Sequence, residues 1–435
     1  MADPSRTEPG PTPAPVREAR AYKPALRLDS LTPEIAEDAF DELTRLAGGA
    51  AWPLALSTGP LFISPNATPA TSSLVTYVSL SCARSLRLFE AAIFPSSARL
   101  GGKFVVPMTN AYAPDPATKL QIYGLMSLIK QNDEHARRAI RTGRLVMNYY
   151  SPRGQECIPA AVSVSLDPED YICTIYRGLH DMVAKGVPLK PLWAEFAGRV
   201  DGTCKGKGGP MHITHPASGC MVTTGIVGSS MPIANGLAWS AKLSGSKRVT
   251  VAYFGDGASN IGAFHESLNL ASIWKLPVIF VCQNNQYSEH TPIEKCTAID
   301  EIARRADSYS MPGVRVNGND PVEVYAAARE AIDRARAGEG PTLIEAVTFR
   351  FFGHNMGDDD SYMPKDKKQA ALERDPFPLY RRRIIDEGVA TEAELEAIDQ
   401  AHERDVREAL EFALASPPPE IAELHRDVYA QEVNQ

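Results

Sequence analysis

The apolar positions of this chain change their spacing along its length, and the spacing predicts the elements. From Pro116 onward, "ATKLQIYGLMSLIKQNDEHARRAIRTG" sets Leu120, Tyr123, Met126 and Ile129 on one helical stripe, with Gly143 as a C-terminal stop. Further on, short apolar runs bounded by glycine and polar residues read as strands: "EDYICTIYRG", ending at Tyr176-Arg177-Gly178, then "KRVTVAYFGDG", "LPVIFVCQNN" and "GPTLIEAVTFRFFGH". "NIGAFHESLNLASIWK" reads as a helix between the second and third of these. Strands alternating with helices predict an α/β fold built on a doubly wound parallel sheet. After Pro364 the text turns charged and helical, as in "LYRRRIIDEG" and "TEAELEAIDQAHERDVREALEFALA". Residues 1–26 hold six prolines and little apolar content, so they are expected to stay disordered. The expected organisation is therefore a tail (1–26), an N-terminal extension with no functional reading (27–115), an α/β domain (116–365) and a C-terminal helical segment (366–435).

Composition narrows the class. The hydrophobic set makes up 44% of 435 residues and charged residues 23%, as in soluble globular proteins. The net charge of −8 argues against a dedicated nucleic-acid or anionic-membrane surface. Cys82, Cys157, Cys173, Cys204, Cys220, Cys282 and Cys296 form no CxxC pair, which signals neither a zinc site nor a thioredoxin-like site. Their odd number and wide spacing suit free thiols in a reducing compartment. No apolar run is long enough to cross a membrane. The N-terminus lacks a basic-then-apolar signal, and Asp3, Glu8 and Glu18 oppose a transit peptide, so the cytoplasm is the expected location.

The chemistry gathers at two strand exits. In an open α/β sheet, ligands bind beyond the carboxyl ends of the strands. Asp256 sits at one such end. Asn284 and Asn285 sit at the next, after one crossover helix, so a right-handed βαβ unit brings acid and amides to the same sheet edge. Gly255 and Gly257 let the backbone approach a ligand closely, and the helix start beyond favours an anion. One carboxylate, one amide oxygen and a main-chain carbonyl form a hard, oxygen-only partial shell, which suits magnesium completed by a diphosphate. Other motifs fit less well. An EF-hand fails at Ile261 and Ser267, a dinucleotide fingerprint needs glycine at Asn260, and "GTCKGKGG" has Gly208 where a Walker loop needs Ser or Thr. Taken alone, Gly-Asp-Gly is an ordinary βα turn, Tyr176-Arg177 a strand end, Gly225-Ile226-Val227 core and His354 a loop histidine. His212 and His215 have no supporting ligand cluster for a metal, and Asp358 to Asp360 reads as a solvated loop.

Together the motifs carry a resemblance. "GKGGPMHI", "TGIVGSSMPIANGLAWSAK", "GDGASNIGAFHESLNLASIWKLPVIFVCQNN" and "FFGHNMGDDDSY" resemble the alpha subunit of the thiamine-diphosphate-dependent, decarboxylating first component of 2-oxo acid dehydrogenase complexes, of pyruvate, branched-chain or acetoin type. The likeness runs from about Pro116 to the C-terminus. It implies the thiamine-diphosphate-binding fold, oxidative decarboxylation of a 2-oxo acid and acyl transfer to a lipoyl group of an acyltransferase component. It also implies a beta subunit completing the site in an alpha-beta heterotetramer. Carried over by position, it places magnesium on Asp256, the Asn285 side chain and the Tyr287 carbonyl. The diphosphate falls to Tyr176, Arg177, Gly257 and Ala258, and the aminopyrimidine ring to Gly225 and Val227. His354 matches a histidine beside the reaction centre, in a loop that orders over the cofactor. Two positions depart from the pyruvate-type pattern. Tyr150 stands where a histidine precedes Gly-Gln-Glu, and Leu179 stands where Tyr-Arg-x-His has its histidine, with His180 one step late. Asn355 replaces the serine that animal members phosphorylate. The alternatives left open are an acetoin-type subunit, a nucleotide-dependent oxidoreductase and a non-catalytic alpha-like subunit.

Overall fold

The computed structural model describes residues 112–428, all within one compact unit, Gly102–Gln435. The expected tail and nearly all of the extension, including Cys82, lie outside the described residues. Helix α1 (Pro116–Arg141) starts where the Asp115 carboxylate accepts the Thr118 N–H at 2.7 Å and Pro116 supplies a preset φ. It stops at Gly143, whose φ of +71° turns the chain out of the helix. Tyr123, Met126 and Ile129 of the expected stripe are fully buried, and Leu120 packs against them from the margin.

The chain then builds α2 (Cys157–Ser163), β1 (Tyr171–Ile175), α3 (Leu179–Ala184), α4 (Leu189–Phe196), β2 (Cys220–Thr224), α5 (Ser230–Leu243), β3 (Thr250–Gly255), α6 (Gly262–Ile273) and β4 (Val278–Asn284). A small hairpin, β5 (Tyr287–Ser288) and β6 (Thr291–Pro292), and a single turn, α7 (Ile293–Cys296), lead to β7 (Gly313–Asn317), α8 (Pro321–Arg336) and β8 (Thr342–Val347). Three helices follow: α9 (Lys365–Leu372), α10 (Pro376–Asp386) and α11 (Glu392–Ala415).

Six strands form one parallel sheet in the order β2-β1-β3-β4-β8-β7, which is the expected doubly wound α/β architecture. The central strands are buried on both faces, which is why they read as continuous apolar runs. Alternate residues feed two cores. Val251, Tyr253, Ile279 and Val281 join one, and Ala252, Phe254, Phe280 and Cys282 the other. Each large side chain buried there contributes about 2 kcal/mol. The strands β2 and β7, absent from the sequence-based reading, are the two sheet edges, and "CMVTT" and "GVRVN" are short with partly exposed positions.

The C-terminal helices share the first core. Leu395, Val406 and Leu410 of α11 pack into it, and the Tyr123 and Ser127 hydroxyls of α1 both donate to Asp399. A reciprocal cap between Thr391 and Glu394 fixes where α11 begins.

Candidate active site

The strand order reverses between β1 and β3, since the chain runs from β1 outward to β2 and returns to β3 on the other side. A crevice forms at such a reversal, beyond the strand ends. Tyr176 and Arg177 leave β1 there. Asp256 leaves β3 there, and because Gly255 pairs in register with Gln283, Asn284 and Asn285 leave β4 at the same edge.

Asp256 is 1% exposed, and among the described residues neither carboxylate oxygen has a hydrogen-bond partner. Burial pushes its pKa up to about 6, against the lowering effect of the Asp256 and Asn285 backbone amides, which lie near it without meeting hydrogen-bond geometry, and of the Arg350 and Arg177 charges. A buried, unpaired carboxylate is costly, and a cation placed against it removes that cost. The two asparagines differ. Asn284 is committed to the fold: its amide nitrogen donates to Glu345 at 2.7 Å, and its oxygen accepts from the Gln286 side chain at 2.8 Å. Asn285 donates to the buried Gln155 at 3.2 Å, and its oxygen takes only the Tyr287 N–H, leaving acceptor capacity free. Gln286, at φ +74°, makes the sharp turn between β4 and the hairpin strand that Tyr287 begins.

Gly257 begins the turn after Asp256. A Cβ there would stand 2.2 Å from the Ser288 hydroxyl, so only glycine lets the two loops meet. Ala258 is buried beside it. A short 3₁₀ turn, Asp256–Asn260, separates the site from α6, so the α6 start is one turn further away than expected.

Two buried guanidinium groups face this edge. Arg177 donates to the carbonyls of Ser151 and His354, each at 2.9 Å. Arg350 donates to the Tyr362 hydroxyl at 2.7 Å and to the Glu289 carbonyl, and lies over the Tyr287 ring at 5.4 Å. No described carboxylate is within ion-pair distance of either. Burial first, and then the Arg350 charge, pull the Arg177 pKa down to about 10. Two buried cations without counter-ions among the described residues, near a buried unpartnered carboxylate, are groups of the kind that could receive a polyanion.

His354 lies over this pair. Burial, then Arg177 and Arg350, lower its pKa to about 4, so the ring is neutral at pH 7, and its Nδ1 has no partner among the described residues. The Tyr150 ring meets Tyr176 edge-to-face at 4.6 Å and His354 at 5.1 Å, so one of the two departing positions lies inside the site. The other does not. Leu179 is buried in the core, and His180 points inward, fully buried, its pKa pushed down to about 3 by burial and then by Arg177.

Two of the readings of motifs taken alone do not hold. Gly225-Ile226-Val227 is not core: Ile226 is 71% exposed and Val227 47%. Asp358 is not a freely solvated loop acid. Its burial opposes ionisation, but bonds from the Tyr362 hydroxyl and the Asp360 and His354 backbone amides outweigh that and hold its pKa at about 2. Sequence reasoning also missed Arg350 and Gln155. Arg350 had a signal, as an arginine inside the apolar run "EAVTFRFF". Among the described residues no group of His, Cys, Asp and Glu could hold a metal unaided, and the ring of His215 is engaged with Ser218 at 3.0 Å. A cavity of about 1340 Å³ lies along the edge strand β7, and of the expected site residues only Tyr287 lines it.

Residues 123–422 match the family model for the dehydrogenase E1 component. The chain belongs to this family. Among curated relatives of this E1 chain, the alpha subunit of acetoin:2,6-dichlorophenolindophenol oxidoreductase from Bacillus subtilis is 44% identical over 277 residues, 63% of this chain and 83% of that protein. The pyruvate dehydrogenase E1 component alpha subunit from Porphyra purpurea is 35% identical over 338 residues, 75% of this chain and 98% of that one. The corresponding subunit from Rhizobium meliloti is 36% identical over 310 residues, 71% and 89% respectively. E1 dehydrogenases act with thiamine diphosphate, and the cation-seeking Asp256 beside two uncompensated arginines fits that group.

Proposed function

We propose that this chain is the alpha half of an E1 enzyme that decarboxylates a 2-oxo acid with thiamine diphosphate and magnesium and passes the acyl group to a lipoyl-bearing acyltransferase component. The observation that carries this reading is the buried Asp256 carboxylate, with both oxygens unpartnered, leaving β3 at the same sheet edge where Asn285 follows β4, and under the charges of Arg177 and Arg350. Asp256, the Asn285 amide oxygen and the Tyr287 carbonyl would hold magnesium. Tyr176, Arg177, Gly257 and Ala258 would hold the diphosphate, and Gly225 and Val227 the aminopyrimidine ring. The cofactor supplies the electron sink for breaking the bond next to the keto carbon. The protein supplies position and charge. Arg177 and Arg350 would offset the charge of the diphosphate in a site of low dielectric. Neutral His354, with Nδ1 free, can accept or return a proton at the reaction centre. Tyr150 narrows the space beside it.

A beta subunit would complete the site. The relatives are named as alpha subunits, and the Gly225–Val227 loop runs into an exposed apolar stripe on α5. Pro232, Gly236, Trp239 and Leu243 recur at helical spacing along that stripe, a surface suited to a subunit contact. A reducing compartment such as the cytoplasm suits the free thiols of the described cysteines. No described helix is long and apolar enough to cross a membrane.

A second reading takes acetoin as substrate, favoured by the 44% identity to the acetoin-type subunit. The test is turnover by the complex purified with its partner, on pyruvate, branched-chain 2-oxo acids and acetoin, read as carbon dioxide release and as dichlorophenolindophenol reduction. Cofactor-dependent carbon dioxide release supports the first reading. Dye reduction with acetoin alone supports the second. Turnover that survives Asp256→Ala unchanged sinks both.

A further inference from the structure

His212 lies between two anchors. Before it, Glu195 of α4 is fully buried, with no cation within ion-pair distance among the described residues. Its carboxylate instead accepts four backbone N–H groups. Those of Cys204 and Gly206 reach one oxygen at 2.7 and 2.9 Å, and those of Gly208 and Gly209 reach the other at 2.7 and 3.0 Å. The segment "GTCKGKGG" is thus wound around one charge. After His212, the chain zips onto β2. The Thr223 N–H donates to the Ile213 carbonyl at 2.8 Å, the His215 N–H to the Cys220 carbonyl at 2.7 Å, and the Thr214 hydroxyl to the Met221 carbonyl at 2.7 Å.

The backbone of His212 is therefore fixed on both sides, and its side chain is aimed. A Cβ added to Gly225 would lie 3.2 Å from the His212 Cε1 and 3.5 Å from its Nε2, so the imidazole rests against Gly225 on the side where a side chain would stand. The ring is exposed, as are Ile226 and Val227 next to it. A merely solvated histidine would not need a buried carboxylate and a strand ladder to aim it.

We propose that His212 is a positioning residue of this site: through Gly225 it fixes the 225–227 backbone against which the aromatic end of the cofactor rests. The inference rests on the thiamine-diphosphate reading given above. It separates two ends of one ligand. Asp256, Asn285, Arg177 and Arg350 serve the diphosphate end, and His212 serves only the ring end.

The complex purified with its partner subunit and stripped of cofactor is titrated calorimetrically with thiamine diphosphate and, separately, with inorganic diphosphate, both with magnesium. His212→Ala should weaken thiamine diphosphate by about tenfold, the scale of loss when a positioning contact is removed. It should leave inorganic diphosphate unchanged, and His212→Asn should recover part of the loss. Unchanged affinity for thiamine diphosphate would overturn the proposal. So would an equal loss for both ligands, which would mark His212 as a general support of the loop. Wild-type protein that binds neither ligand would overturn the cofactor reading itself, and that failure shows before any variant is made.

Discussion

The Arg177 guanidinium donates to the main-chain carbonyl of His354 at 2.9 Å across 177 residues of sequence. The group best placed to hold an anion thus also holds the loop that carries the neutral histidine. An anion bound at Arg177 would therefore be coupled mechanically to the placement of His354. Lysine at 177 could not reach both the Ser151 and His354 carbonyls and an anion with a planar fork. Arg177→Lys should therefore raise the KM for thiamine diphosphate by roughly 10- to 100-fold and lower kcat as well. Steady-state kinetics against cofactor concentration separate the two effects, and a change in KM alone would contradict the coupling.

Asp256 gives a pH prediction for the cofactor-free protein. Its folded pKa of about 6 lies above the unfolded value of 3.8, so between those values the folded state binds more protons. Stability attributable to this group is present at low pH and is lost as pH rises through about 6, by on the order of 2–3 kcal/mol. Asp256→Asn should therefore melt higher than wild type at pH 7 without cofactor and the same or lower at pH 4. With magnesium and thiamine diphosphate the order at pH 7 should reverse. Thermal unfolding at the two pH values checks this, and a variant less stable than wild type in the free state at pH 7 would refute it.

How much of this was legible in the sequence follows from what each residue has to do. The central strands showed as apolar runs because both faces are covered, and Asp256 and Asn285 showed because an acid and an amide at neighbouring strand exits stand out as candidate oxygen ligands. The edge strands Cys220–Thr224 and Gly313–Asn317 lacked that signal, being partly exposed. The residues alone did not separate Asn284 from Asn285, and only the resemblance singled out Asn285; in the fold Glu345, distant in sequence, claims Asn284. Exposure of Ile226 and Val227 could not be read from the apolar residues alone, because an exposed apolar segment has the composition of a core.

Gln155 holds Asn285 in place through a buried hydrogen bond of 3.2 Å. Groups that orient a metal ligand matter nearly as much as the ligand itself, so Gln155→Ala should cost roughly tenfold or more in magnesium affinity. The loss should appear as a rise in the magnesium concentration needed for half-maximal cofactor binding, with the fold intact by circular dichroism.

Gly257→Ala drives a methyl group into Ser288, at 2.2 Å from its hydroxyl and 2.8 Å from its Cβ. Cofactor binding should be lost or severely weakened. Since the clash has a single partner side chain, Ser288→Gly in the same protein should restore much of it. A double variant no better than the single one would show that the constraint lies elsewhere.

The central claim is that this chain holds half of a thiamine-diphosphate site and needs a second subunit for the rest. Native mass spectrometry of the tagged protein, purified from its own cells with magnesium present, tests it most directly. The expected species is two copies of this chain with two of a second chain, carrying thiamine diphosphate. A homomer that turns over a 2-oxo acid by itself, or a stable complex that retains no thiamine diphosphate when supplied with it, would contradict the claim.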